Sequence, residues 1–226
     1  MKKAALLFAL TLPLLAAGQQ RDWANYSRYA EANAALTTAP AVVFMGNSIT
    51  DGWDDAHPEF FTDNNFACRG ISGQVTSQML CRFRADVIGL GPKAVVILAG
   101  TNDIARNNGP IESEHIVENI VSMAELALAA GIRPIICSVL PAAKYPWRPE
   151  IESVPEKIRA LNDRLQQYAA ERGVTWVDYY GAMDAGDGSM RGEYTKDGVH
   201  PTPEGYTVME GVIRPAATWE EIKRPD

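Results

Sequence analysis

Cysteine, histidine and positive charge are all scarce in this chain: three Cys and three His in 226 residues, with 21 basic residues against 28 acidic ones. Each scarcity excludes a class of protein. Phosphate backbones are held by a clustered surplus of Lys and Arg, so a formal charge of -7 argues against a nucleic-acid partner. An odd, low cysteine count is no disulfide framework, and a chain of this length buries roughly 70% of its unfolded surface, enough to fold without staples. Cys137 sits in the apolar run 135–140 and reads as a small buried hydrophobe, while Cys68 and Cys81, thirteen residues apart, are left as an open pair. His57, His115 and His200 are widely separated, there is no His-Glu-x-x-His, and the cysteines lack zinc spacing, so no metal is expected. His115 and Glu118 read as a solvated helix face. There is no Gly-x-x-x-x-Gly-Lys loop, and Gly70-x-x-Gly73 is too short to mark a nucleotide site, so no cofactor is expected either.

Long apolar runs are also missing, except at the start. Met1-Lys2-Lys3 is followed by an apolar stretch from Ala4 to Ala17, broken by Thr11 and Pro13, and then by the small residues Ala16-Ala17-Gly18. A basic start, a short apolar core and a small-residue exit make residues 1–18 a secretory signal, shorter than the about 20 apolar residues that span a bilayer. Its removal takes away two lysines and no acid, leaving a more acidic chain exported to the periplasm or medium with no stable membrane anchor. At about 150 residues per domain, residues 19–226 make one domain.

Within it, four short apolar runs rich in Val and Ile stand at 41–45, 94–99, 135–140 and 174–177. Apolar runs without alternation belong to strands buried on both faces, as in a parallel sheet. Between them, Ile116, Ile120, Met123 and Ala127 recur at helical spacing, as do Val154, Ile158, Leu161, Leu165 and Tyr168. Gly131 and Gly173 follow these helices where a residue free to take positive φ commonly ends one. The alternation predicts a three-layer α/β domain, a central parallel sheet with helices on both faces, after a polar lead-in from Gln19 to about Thr38. A last helix is expected after Pro203, with Thr202 as its cap and Glu204 in its first turn. The stretch 141–155 carries four prolines and should be a long connection; its Tyr145 and Trp147 are candidates for stacking against a substrate.

In open α/β sheets ligands bind beyond the carboxyl ends of the strands. The first run leads into Gly46-Asn47-Ser48-Ile49-Thr50-Asp51-Gly52, the second into Gly100-Thr101-Asn102-Asp103, and Asp197-Gly198-Val199-His200-Pro201 precedes the last helix. A serine hydroxyl becomes nucleophilic when a base takes its proton and a third group orients that base. Ser48, His200 and Asp197 are of those types, although each alone also fits a local role as a cap, a helix-start residue or a turn residue. The serine is not in a Gly-x-Ser-x-Gly elbow, since Thr50 takes the last position, which disfavours the α/β-hydrolase fold.

These three blocks, together with Arg69-Gly70-Ile71-Ser72-Gly73, resemble in order the signature blocks of the SGNH hydrolases, also called GDSL esterases and lipases. The similarity is greatest to the branch of platelet-activating factor acetylhydrolase subunits and bacterial carbohydrate O-acetylesterases. It implies a flavodoxin-like SGNH fold, with Ser48 as nucleophile, His200 as its base and Asp197 orienting the imidazole. It further implies an oxyanion hole formed by the Ser48 N–H, the Gly70 N–H and the Asn102 side chain. Asn47 stands where the family usually has aspartate, and its short polar shape is expected to keep the local hydrogen bonding. The expected protein is an exported esterase removing a short acyl group, acetyl above all, from a small-molecule or glycan ester. The alternatives are a lysophospholipase, thioesterase or arylesterase for longer acyl chains, and a noncatalytic glycan-binding module on the same fold.

Overall fold

The computed structural model describes residues 22–216. The secretory segment read at residues 1–18 lies outside them. From the first described residues the chain passes through α1 (Ala30–Ala35) to β1 (Val42–Gly46), α2 (Ser48–Ala56), α3 (Pro58–Thr62), β2 (Phe66–Gly70) and α4 (Thr76–Asp86). It continues through β3 (Ala94–Leu98), α5 (Thr101–Ile104), α6 (Ser113–Ala129), β4 (Arg133–Cys137) and α7 (Val154–Arg172). It closes with β5 (Thr175–Val177), α8 (Tyr179–Met183) and α9 (Pro203–Ala216). The strands form one parallel sheet in the order β2-β1-β3-β4-β5. Strand order reverses between β1 and β3, so the crevice of an open sheet falls between the ends of these two strands.

Alternation along each strand divides the core into two halves of different character. Val43, Met45, Val95, Ile97 and Ile136 face α4, α6 and α7 through aliphatic side chains such as Met79, Ile120, Met123, Ile158, Leu161 and Leu165. Val42, Phe44, Phe66, Val96 and Ile135 face α2, α3, α8 and α9 through a largely aromatic cluster. There Phe44 meets Trp53, Phe60 and Phe61 edge to face, with centroids 5.5, 5.6 and 5.3 Å away, and Trp53 stacks on Tyr206 at 5.6 Å. Such pairs add about 0.5–1.5 kcal/mol each beyond area burial.

The expected three layers are present, and α6 and α7 end at Gly131 (φ 73°) and Gly173 (φ 64°), both left-handed. One strand, β2, is additional to the four apolar runs. It lies at the sheet's edge, carries Arg69 one residue before its end, and is covered by the lead-in segment. The Tyr29 hydroxyl donates to the Gly70 carbonyl, Arg69 Nε donates to Asn33 Oδ1 at 2.8 Å, and the Arg69 guanidinium lies 4.8 Å above the Tyr29 ring. Cys68 and Cys81 are not bonded to each other: Cys68 is buried, with its thiol donating to the Thr50 carbonyl at 3.3 Å, and Cys81 is exposed. His115 pairs with Glu118 at 2.8 Å on an exposed face of α6.

Candidate active site

The turn from β1 into α2 is built by close approach. A Cβ on Gly46 would lie 1.9 Å from Thr50 Oγ1, so only glycine lets the strand end pass this tightly under the first turn of α2. Asn47 is the helix cap: it is buried, and its Oδ1 accepts from the Ile49 N–H at 3.2 Å. The amide thus performs the capping that an aspartate would. Ser48 follows as the first residue of α2, beyond the end of β1 and at the positive end of the helix dipole.

His200 reaches this serine from 152 residues away, with Nε2 3.0 Å from Ser48 Oγ. Two features hold it there. The first is local: Asp197 Oδ1 accepts the amides of Val199 and His200 at 3.0 and 2.8 Å, which leaves Oδ2 to meet His200 Nδ1 at 2.8 Å. Asp197 therefore closes a turn on its own backbone and orients the imidazole at the same time. Because an ionised carboxylate only accepts, His200 carries its proton on Nδ1 and turns a lone pair toward Ser48. Burial alone would raise the Asp197 pKa, but the bonds from His200 and Val199 outweigh it and lower the value, so the carboxylate stays charged into acid.

The second feature is α9, which follows the loop and is capped by Thr202, whose Oγ1 accepts from the Gly205 N–H at 3.1 Å. It is clamped to α2. Tyr206 stacks on Trp53 and donates to the Ile49 carbonyl at 2.9 Å, and Glu210 Oε1 takes Trp53 Nε1 at 3.2 Å and sits 2.7 Å from His57 Nδ1. Ser48, which opens α2, and His200, on the loop that leads into α9, are thus held by two helices that pack on each other.

Asn102 stands in the first turn of α5, past the end of β3, and is 3% exposed. Its Nδ2 donates to the Gln74 carbonyl at 2.9 Å and its Oδ1 accepts from Asn107 Nδ2 at 2.9 Å. Beside it, Asp103 accepts from the Thr76 N–H at 3.0 Å and the Thr76 hydroxyl at 2.6 Å, which pins the start of α4 and the loop before it. Burial pushes the Asp103 carboxyl up to about 6, against the opposing effect of the Thr76 bonds.

Two of the residues expected at the site are placed elsewhere. Ile71 donates to the Gly46 carbonyl at 3.2 Å, and along a parallel strand successive residues point their amides to opposite sides. The Gly70 N–H therefore turns away from β1, where it meets the Cys68 sulfur, while the Gly70 carbonyl takes the Tyr29 hydroxyl. Glycine is needed there because a Cβ would lie 2.2 Å from the Asp51 N, so its role is to let β2 approach α2. The next turn carries the exposed amides instead: Gln74 N bonds the Ile71 carbonyl at 3.2 Å, the Ser72 N–H is taken by Asp51 at 3.3 Å, and Gly73 sits at φ 81° with open space around it. A glycine among polar residues at the third position of a turn was the signal for it. Tyr145 is fully buried, so it offers no face to a substrate. Trp147 is 38% exposed, with its ring 5.9 Å from that of His200.

A cleft of about 330 Å³ opens against Ser48 and His200 and is lined also by Asp51, Asp55, Ser72, Lys196 and Tyr206. On the α2 side it carries the carboxylates of Asp51 and Asp55, and the Trp147 ring stands beside the imidazole.

The profile of the GDSL-like Lipase/Acylhydrolase family matches residues 44–208 of this chain. A GDSL-like lipase of Bacteroides thetaiotaomicron is similar in structure, with 50% identity, a TM-score of 0.85, and 88% of this chain and 99% of that one covered. A Bacteroides fragilis protein assigned as an acylhydrolase is 48% identical with a TM-score of 0.86, covering 91% of this chain and all of that one. The lipoprotein YqeF of Bacillus subtilis is 35% identical over 75 residues, which are 32% of this chain and 31% of that protein. No helix among the described residues is long and apolar enough to cross a membrane.

Proposed function

The chain belongs to the GDSL-like lipase/acylhydrolase family, whose reaction is ester hydrolysis, and on that premise we propose an exported serine esterase that removes a short acyl group from a hydroxyl-rich alcohol such as a carbohydrate. The observation that carries the reading is the line Ser48 Oγ, His200 Nε2, His200 Nδ1, Asp197 Oδ2, with contacts of 3.0 and 2.8 Å opening on one cleft. In the proposed cycle, Ser48 Oγ attacks the ester carbonyl carbon while its proton passes to His200 Nε2, and Asp197 holds the imidazolium that forms. The carbonyl oxygen takes the negative charge and is met by the Asn102 amide, the Ser48 N–H at the start of α2, and the Gly73 N–H in place of Gly70. The C–O bond then breaks, and the alcohol leaves with the proton from His200. Water delivered by the same base cleaves the acyl-Ser48 ester and restores the serine.

Support for a polyol alcohol is the set of hydrogen-bonding groups in the cleft, where Asp51, Asp55, Ser72 and Lys196 stand beside Ser48 and His200. Trp147 adds one exposed aromatic face beside the imidazole, the kind of surface on which a sugar ring stacks. Export rests on the basic and apolar start of the sequence. The reading is tested by acid release from matched acetyl and octanoyl esters, with Ser48→Ala alongside. Acetyl preference that vanishes in the variant is the expected result. Octanoyl preference would replace the carbohydrate reading with a lipid one, and activity untouched by Ser48→Ala would remove the serine mechanism.

A further inference from the structure

The amide of Asn102 is useful to an oxyanion only if its nitrogen, not its oxygen, faces the cleft. An asparagine amide presents a donor and an acceptor of nearly the same shape, so something must set the direction. Three side chains form an unbroken line that does so. Trp147 Nε1 donates to Asn107 Oδ1 at 2.9 Å, and Asn107 Nδ2 donates to Asn102 Oδ1 at 2.9 Å. The indole N–H can only donate, so it fixes the oxygen of Asn107 on its own side and leaves the amino group to face Asn102. Asn102 must then turn its oxygen to Asn107 and its amino group away. Of the two N–H bonds on that amino group, one goes to the Gln74 carbonyl at 2.9 Å, and the esterase reading assigns the other to the oxyanion.

The backbone reinforces the arrangement. Arg106 takes a left-handed conformation (φ 56°), which turns the chain back after α5 so that the Asn107 N–H also donates to the Asn102 carbonyl at 2.9 Å. Asn107 thus binds one residue twice, through main chain and side chain, while its far end is held by a tryptophan from the connection between β4 and α7. We propose that Asn107 is the positioning residue of the oxyanion hole and that the Trp147 N–H sets the direction of both amides. This deepens the esterase reading and rests on it. Trp147 accordingly serves the site by its edge, whether or not its face also meets substrate.

Asn107→Asp is the sharpest variant because it keeps the shape and the acceptor for Trp147 but replaces the donor facing Asn102 with a second acceptor. Asn102 is then relieved by rotating its amino group toward Asp at 107, which draws the donor out of the cleft. The experiment measures kcat and KM on 4-nitrophenyl acetate for Asn107→Asp and Trp147→Phe, each in the natural chain and in an Asn102→Ala background. Active sites are counted by end-point fluorophosphonate labelling, so that a misfolded fraction does not enter kcat.

Loss of one oxyanion donor costs about 10²–10³ in kcat, and a rotated donor is expected to cost at least about tenfold with KM within about twofold. Trp147→Phe, which lets Asn107 choose its direction, should cost about two- to fivefold. In the Asn102→Ala background both penalties should shrink below about twofold, since there is no amide left to direct. A kcat for Asn107→Asp near that of the natural chain, or an equal penalty in both backgrounds, overturns the proposal while leaving the esterase intact. A natural chain that neither hydrolyses the ester nor takes the label overturns the esterase reading and this inference with it.

Discussion

The two walls of the proposed site, one with Ser48 and His200 and one with Asn102, grow from the same sheet but are held by different means. On the serine–histidine wall the orienting contacts are short in sequence and partly open to solvent: Asp197 and His200 settle their geometry within one turn, and the ring contact with Ser48 completes it. On the amide wall Asn102 is buried, and the contacts that aim it come from 28 residues upstream, at Gln74, and, through Asn107, from Trp147. A local device tolerates change elsewhere in the chain, whereas a relay that runs from the exposed Trp147 through the half-buried Asn107 to the buried Asn102 passes a distant change inward. The cores behind the walls differ in the same sense, with an aromatic clamp of Trp53, Tyr206 and Glu210 locking α2 to α9 and aliphatic packing under α4 to α7.

The largest expected effect is on the first wall. Ser48→Ala or His200→Ala should each lower kcat on an acetyl ester by on the order of 10⁶-fold, and together by no more than either alone, because the two act as one unit. Additive losses would break the coupling read from the 3.0 Å contact. On the second wall, Asn102→Ala should lower kcat about 10²–10³-fold with the fold retained, and near-normal turnover would remove it from the oxyanion site.

Gly70, at the end of β2, and Gly73, in the turn after it, should separate packing from chemistry. Gly70→Ala drives a methyl into the backbone of Asp51 and should cost about 3 kcal/mol of stability by urea unfolding. Gly73→Ala meets open space, costs about 1 kcal/mol for its left-handed φ, and should act mainly on kcat. The reverse pattern would restore Gly70 to the site.

An effect of a different kind is on pH dependence. Asp103, with its carboxyl raised to about 6 by burial, holds a proton in the native state that the unfolded chain has released above about 4. Its contribution to stability is therefore full below about 4 and is lost as pH rises through about 6. Asp103→Asn should flatten the change in unfolding free energy between pH 4 and 6.5 by about 2–3 kcal/mol, and an unchanged slope would contradict the assignment.

The arrangement of the first wall was legible because its parts are compact words in the sequence: a serine after a glycine-ended strand, and a carboxylate three residues before a histidine. The sheet was legible in four of its strands because each overlaps a short, mainly apolar run with Val or Ile in it. Its fifth, β2, was not, since Arg69 reads as solvent-facing until Asn33 and Tyr29 of the lead-in are seen to hold it. That lead-in looked like a variable extension for the same reason. Its contacts, such as the Gln74 Nε2 bond to the Ala24 carbonyl at 2.8 Å, cross 50 residues and leave no local pattern. Asn107 was invisible on the same ground, an asparagine in an Asn-Asn-Gly loop whose partner is a tryptophan 40 residues away. Tyr145 and Trp147 have similar character on paper, and only burial tells which one faces out.

The account turns on Ser48 being an activated nucleophile, and the most direct measurement is intact-mass and peptide mapping after exposure of the folded chain to a fluorophosphonate. One adduct per chain, on Ser48, blocked in His200→Ala and absent from heat-unfolded protein, is the predicted result. Folded protein that takes no label, or takes it on another serine, would contradict the central claim and favour a binding module built on the same fold.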